Sequence, residues 1–315
     1  MAEGGGAVEH VRSLELLLQS QAVQVRGIVT LLRDSTALAL AVDRAGNPRP
    51  QPVGFELQQF GSRAYRCELP RSDVDVAGTV RQECRNAPGL AKAEIMGRLQ
   101  TQLGRSQICN AVKKGAYNST IQFRSGGLRV GFHFAPWTEL NRIPACVTTD
   151  KIQSMLLELV TEARDCIRLL RDCLNGTEAV SSNSGVRNRL KPIHCALLGI
   201  ARWKAHGARL CSTGATMQQL VEMCLMFYAD FQFETFVVNA HHEEPFIRRP
   251  LREQEVVIIG DPADRVGNLG GRGDAAHHRT MRAGLRTRGR PGQRDPADPP
   301  SAQSFHWCPP LLLSC

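Results

Sequence analysis

One short stretch limits what this chain can fold into more than any other. Phe55-Glu56-Leu57-Gln58-Gln59-Phe60 alternates like a half-buried strand and runs straight into Gly61-Ser62. After a loop, Ser72-Asp73-Val74-Asp75-Val76 reads as a second short strand. Side chains alternate along a strand, so Asp73 and Asp75 share one face while Val74 points into a core. The small residues at Gly61-Ser62 let backbone amides approach an anion such as a phosphate. Two carboxylates on one rigid element hold hard divalent cations that phosphate oxygens complete. Two such ions activate an attacking hydroxyl and stabilise a leaving pyrophosphate. A Gly-Ser pair alone is a common turn, and an Asp-x-Asp alone is usually a solvated face. Joined in this order by a short loop, with Ser72 directly before the first Asp, they form a far more specific pattern.

The remaining periodicities supply a frame for that stretch. Val11, Leu14, Leu17, Leu18, Val25, Ile28, Leu31 and Leu32 recur at helical spacing and predict an opening helix over about 8–33, with Gly27 its weak point. A turn-rich stretch over 44–52 ends it. Residues 90–103 read as a helix, and 119–123 and 128–134 as strands joined by the turn Arg124-Ser125-Gly126-Gly127. Past Pro144 the pattern turns helical. Asp150 and Gln153 form a capping-box pair, and Ile152, Met155, Leu156, Leu159, Ile167 and Leu170 make one stripe ending at Asn175-Gly176. After the Ser/Asn/Gly linker at 181–185, helices are predicted over about 190–206 and 216–231. A mixed sheet followed by a run of helices is the mark of an α+β chain. From Asp261 the periodicity fades, and 272–315, dominated by Gly, Pro, Arg and Asp, reads as disordered.

Composition narrows the partners. A formal net charge of +9 favours an anionic one such as RNA or nucleotide, although many of the arginines fall after residue 245. Aromatic residues are only 5% of the chain, so contacts with nucleic acid are expected through phosphates rather than a broad stacking platform. Lys113-Lys114 and Arg248-Arg249 are candidates for such backbone contacts, and equally ordinary surface. The 11 cysteines are scattered without a Cys-x-x-Cys pair, which reads as reduced thiols. His241-His242-Glu243-Glu244 lacks a spacing that would fix ligand geometry around a metal. No secretory signal is apparent, and no apolar run reaches the roughly 18–20 residues a spanning helix needs. The expectation is an intracellular protein, cytoplasmic or nuclear, with no membrane partner and an oligomeric state the sequence leaves open.

The segment from Phe60 to Val76 resembles the nucleotidyltransferase superfamily of poly(A) polymerases, terminal uridylyltransferases and oligoadenylate synthetases. That family's pattern is a Gly-Ser turn, then Asp-x-Asp, then a third carboxylate on a later strand. Leu190-Lys191-Pro192 through Ala201-Arg202-Trp203-Lys204 is similar to a family helix that ends in a Lys/Arg-Trp pair. Val256-Val257-Ile258-Ile259-Gly260-Asp261-Pro262-Ala263-Asp264, followed by Asn268, resembles the family's closing motif, especially in oligoadenylate synthetases. The likeness runs from about residue 10 to residue 271. It implies an α+β fold: a nucleotidyltransferase palm with a mixed β-sheet over 1–147, an α-helical domain like that associated with poly(A) polymerases over 148–271, and the disordered tail over 272–315.

What the resemblance implies for chemistry is template-independent addition of nucleotides from an NTP to an RNA 3′ end by two-metal-ion catalysis. Asp73 and Asp75 would bind Mg²⁺ or Mn²⁺, Gly61 and Ser62 would cradle the β/γ-phosphates, and Arg202 and Lys204 would reach the triphosphate. The chain also departs from the pattern. The strand Leu128–Phe134 carries no Asp or Glu, so Gly131 or His133 stands at the third position, and His133 is the candidate to ligate a metal or accept a proton. Ala201 stands where relatives often carry a lysine, and the nucleotide-contacting Ser-Tyr has no clear match around 212–216. Two alternatives therefore stay open: a catalytically silent RNA- or protein-binding member, and an enzyme of the 2′-5′ oligoadenylate synthetase kind.

Overall fold

The computed structural model describes residues 5–43, 45–85, 91–115, 120–175, 192–212, 214–231, 236–248 and 259–262. The described residues divide into two compact units, one within Leu14–Ser154 and one drawn from Met1–Ser13 and Met155–Cys315. The first holds a mixed five-stranded sheet and the second is mainly helical, which is the expected α+β arrangement. The tail expected to be disordered from 272 onward, and Asp264 and Asn268 of the closing motif, lie outside the described residues.

The sheet unit is built from β1 (Phe55–Phe60), β2 (Val74–Val80), β3 (Asn110–Lys114), β4 (Thr120–Ser125) and β5 (Leu128–Phe134), in the order β1-β2-β5-β4-β3. β2 and β5 pair in parallel and every other neighbour pair is antiparallel. On one face Val74, Val76, Val80, Ile121, Phe123, Val130, Phe132 and Phe134 meet two helices, α1 (Gly5–Leu40) through Ile28 and Leu32, and α2 (Lys92–Arg105) through Ile95, Met96, Leu99 and Leu103. Burying this many large aliphatic and aromatic side chains, at about 1.5–3 kcal/mol each, is what holds the sheet in register. On the opposite face Ala77 packs with Ile143 and Cys146 of the segment entering α3 (Pro144–Leu157).

The helical unit contains α4 (Thr161–Asn175), α5 (Pro192–Ser212) and α6 (Met217–Asp230). α6 starts with a capping box in which the Thr216 hydroxyl accepts from Gln219 N and Gln219 Oε1 accepts from Thr216 N. The buried Tyr228 hydroxyl of α6 donates to the Leu198 carbonyl of α5, giving that polar tip a partner inside the bundle. At its start α1 contributes His10, whose Nε2 donates to Asp172 Oδ2 of α4 at 2.9 Å. A short hairpin of β6 (Phe236–Val238) and β7 (Phe246–Arg248) follows, with the Phe231 and Phe246 rings tilted against each other at 5.0 Å between centroids.

Four local expectations needed adjustment. α1 runs on to Leu40 and passes through Gly27, where the space around Cα is open. The edge strand β3 carries charged residues rather than alternating apolar ones, so periodicity did not reveal it. The single helix expected from Asp150 is two helices, α3 and α4. The β-branched Val160 and Thr161 lie where the break falls, and Glu162 then opens α4 with a negative charge in its first turn. Asp150 is inside α3 and caps nothing; its carboxylate accepts from Gln58 Nε2 at 2.9 Å.

Candidate active site

β1 ends at Phe60, and Gly61 turns the chain with φ +76, a backbone conformation that disfavours any residue with a Cβ. Two backbone bonds close the turn: Ala64 N donates to Gly61 O at 3.0 Å and Cys67 N to Ser62 O at 3.1 Å. The Gly61 N–H does not face outward; it donates to Thr149 Oγ1 of α3 at 2.9 Å. The loop back to β2 is fixed by Arg63, a buried arginine whose Nε donates to Ser72 O at 3.0 Å. Its Nη2 donates to Pro70 O at 3.1 Å and Gln21 Oε1 at 3.0 Å. Ser72 Oγ accepts from Leu69 N at 2.8 Å. Arg63 therefore staples the two carbonyls that precede the acidic pair, and Asp73 leaves a rigid loop rather than a flexible one.

Asp73 stands just before β2 and Asp75 within it, with Val74 fully buried on the other face, as the period-two reading requires. In the antiparallel ladder Asp75 is opposite Phe60; in the parallel ladder it is opposite Gly131. Its carboxylate lies between two glycines. A Cβ on Gly131 would come within 2.8 Å of Asp75 Oδ1, and one on Gly61 within 3.0 Å of Oδ2. Burial, and then the negative charge of Asp73, push the Asp75 carboxyl up to about 6, with Arg129 opposing them. The Gly-Ser bend and the acidic pair are thus adjacent.

β5 decides the third position. Leu128, Val130, Phe132 and Phe134 enter the core, so Arg129, Gly131 and His133 share the face of the acidic pair. Of the two residues the sequence offered, Gly131 is directly opposite Asp75. His133 is opposite Ala77, one pleat further along, or roughly 7 Å. Its Nδ1 is 3.5 Å from Thr120 Oγ1, and burial followed by the charge of Lys92 lowers its basicity, so it is neutral at pH 7. The residue that reaches the pair is Arg129, whose Nε donates to Asp73 Oδ1 at 3.0 Å.

Arg129 escaped the sequence reading although its signal was available: it sits two residues before Gly131 on the same face. Arg63 and Thr149 carried no such signal, because their roles depend on contacts across the fold.

The donor set fits one divalent cation. Magnesium is commonly bound by one or two carboxylates plus phosphate and water, and the Asp75 carboxyl, pushed up to about 6 by burial and then by the charge of Asp73, favours a cation beside it. One Asp73 oxygen already accepts from Arg129, and no group of three His, Cys, Asp or Glu residues able to hold a metal occurs among the described residues.

The other candidates belong to the helical unit. Arg202 of α5 lies over the Phe227 ring at 4.1 Å and lines an open cavity of about 760 Å³ with His206, Phe231 and Phe246. Lys204, two residues on, is half-buried and is not in that lining. His242 Nδ1 accepts from Glu244 N at 3.2 Å, a local turn contact. No helix among the described residues is long and apolar enough to cross a membrane.

No family model matches the sequence, and no curated protein matches it by sequence comparison. Solved structures do resemble the fold. A cytoplasmic RNA terminal U-transferase superposes with a TM-score of 0.63 at 14% identity, covering 91% of this chain and 92% of that one. Cid1, described for its RNA terminal uridylyl transferase activity, gives 0.61 at 14% identity, with 92% and 96% covered. mtPAP in complex with UTP gives 0.63 at 12% identity over 88% of this chain and 67% of that one. The chain therefore shares the fold of these structures.

Proposed function

We propose that this chain is a template-independent nucleotidyltransferase that adds nucleotides from an NTP to an RNA 3′ end. The observation that carries the reading is the join between the Gly61-Ser62 turn and Asp75, whose carboxylate lies against Gly61 on one side and Gly131 on the other. In this reading the Ser62 N–H and hydroxyl take the phosphate, because the Gly61 N–H is committed to Thr149. Asp73 and Asp75 would hold a divalent cation, which would supply positive charge for the phosphoryl oxygens and lower the pKa of the attacking hydroxyl. Asp75, with its carboxyl at about 6, is ionised at neutral pH and orients the 3′ hydroxyl for in-line attack on the α-phosphate. The bond from the 3′ oxygen to the α-phosphate forms as the bond to pyrophosphate breaks, and the hydroxyl proton passes to the Asp75 carboxylate. Arg63 keeps Asp73 in place for this by holding Ser72 and Pro70. UTP in complex with mtPAP and a UTP analogue in complex with Cid1 support a nucleoside triphosphate as the donor.

The test is extension of a labelled RNA by the purified chain with each of the four NTPs and Mg²⁺ or Mn²⁺. Extended product is expected, and Asp73→Ala or Asp75→Ala should abolish it; a mutant as active as the wild type would sink the mechanism. A silent, RNA-binding member is the second reading, favoured by the glycine opposite Asp75 and the arginine on Asp73. Retained RNA binding with no nucleotide binding in calorimetry would select it.

A further inference from the structure

The Arg129–Asp73 contact has a register behind it. Val74 pairs with Val130 in the parallel ladder, so the residue before each falls beside the other. Arg129 thereby stands next to Asp73 in the row that continues through Gly131 and His133. A side chain at Gly131 would make the Asp75 carboxylate turn away, since a Cβ there would lie 2.8 Å from Asp75 Oδ1. A guanidinium approaches instead.

The contact contributes little to holding the fold. The Arg129 side chain is 65% exposed and that of Asp73 43%, and exposed ion pairs contribute at most about 1 kcal/mol. Its consequence is electrostatic. Two carboxylates against one guanidinium leave one net negative charge, which a single divalent ion converts to one net positive charge facing a polyphosphate. A second divalent ion would bring the total to three positive charges. It would also sit beside a fixed cation, with one Asp73 oxygen already engaged. Arginine is suited to the substitute role because its planar fork serves a carboxylate and a phosphate oxygen together and never loses its charge.

We propose that the Arg129 guanidinium stands in for one of two divalent ions: the Asp73–Asp75 pair takes a single divalent cation, and Arg129 supplies the other positive charge to the polyphosphate. This deepens the nucleotide-transfer reading and rests on it.

The experiment is Mn²⁺ binding to the full chain, counted by electron paramagnetic resonance without nucleotide. Alongside it, metal-free tripolyphosphate binding is followed by calorimetry. Wild type, Arg129→Gln and Arg129→Lys are compared. The expected wild-type result is one Mn²⁺ per chain and measurable tripolyphosphate binding. Arg129→Gln should bind Mn²⁺ roughly tenfold more tightly, because a positive charge near the ion is gone, and tripolyphosphate roughly tenfold more weakly. Arg129→Lys should restore both toward wild type. Two Mn²⁺ per wild-type chain, or Mn²⁺ and tripolyphosphate affinities indifferent to Arg129→Gln, would overturn the substitution while leaving the nucleotide site standing. No Mn²⁺ and no tripolyphosphate bound by wild type or Arg129→Gln, with circular dichroism showing both folded, would overturn the nucleotide-transfer reading itself and this inference with it.

Discussion

Asp75→Asn should make the sheet unit more stable at neutral pH and leave it almost unchanged in acid. The wild-type carboxyl is raised from 3.8 to about 6 by burial and by Asp73. Because the folded value lies above the unfolded one, the carboxyl's favourable contribution is fully present below pH 3.8. It is lost as pH rises through about 6, where the folded state must carry the charge in a confined site. At 1.36 kcal/mol per unit, the full effect is about 3 kcal/mol above pH 7. At pH 4.5 only about 1 kcal/mol separates the two proteins, since the folded carboxyl is by then protonated. Asn has the same shape and no charge, so the mutant escapes this loss. Urea unfolding at pH 7.5 and pH 4.5 measures it: the mutant advantage should shrink from about 3 to about 1 kcal/mol, and titrating groups remote from Asp75 cancel in the difference. Adding Mn²⁺ at pH 7.5 should stabilise the wild type more than the mutant, because only the former keeps both carboxylates. A mutant no more stable than wild type at pH 7.5, or with the same advantage at both pH values, would show that Asp75 is not held charged against its environment.

Two further outcomes follow from the packing around the same carboxylate. Gly131→Ala introduces a methyl 2.8 Å from Asp75 Oδ1, which the carboxylate relieves by turning; weakened Mn²⁺ binding is expected, and an unaltered Mn²⁺ affinity would mean Asp75 is not a ligand. Arg63→Met removes the donors to Ser72 O, Pro70 O and Gln21 and should cost about 2–4 kcal/mol, with RNA extension falling further than the stability loss explains if the loop positions Asp73.

How much of this was legible beforehand depends on the range of the interaction. The strand–turn–strand around Gly61 and Asp75 was readable because its signals are local: alternation in β1, a glycine at the bend, and carboxylates two residues apart. The apolar residues of β5 were readable for the same reason. What local pattern could not supply was the ladder register. Whether Gly131 or His133 stood beside Asp75 turns on a shift of two residues between β2 and β5, which are more than fifty residues apart in the chain. The hydrophobic pattern is unchanged by such a shift, since both positions lie on the same face. The Thr149 acceptor that occupies the Gly61 N–H comes from α3, 88 residues away, and no spacing rule reaches it. The break between α3 and α4 was blurred because the apolar stripe continues across it.

The two faces of β2 and β5 answer to different constraints, and this explains how a recognisable fold can carry an altered donor set. Val74, Val76, Val130 and Phe132 are buried against α1 and α2 and fix the strands by apolar burial. Asp73, Asp75, Arg129 and Gly131 project from the same backbone in the opposite direction and contribute little to that core. Exchange of an acid for a glycine or an arginine on the second face leaves the first unmoved, because alternate side chains of a strand share no packing. The reverse does not hold. Phe132→Ala would open a cavity under the segment that carries Gly131 and shift the backbone facing Asp75. A fold-level likeness at 12–14% identity is therefore compatible with a site whose charge has been rebalanced. The chemistry of this chain has to be read from Asp73, Asp75 and Arg129 rather than from the sheet that displays them.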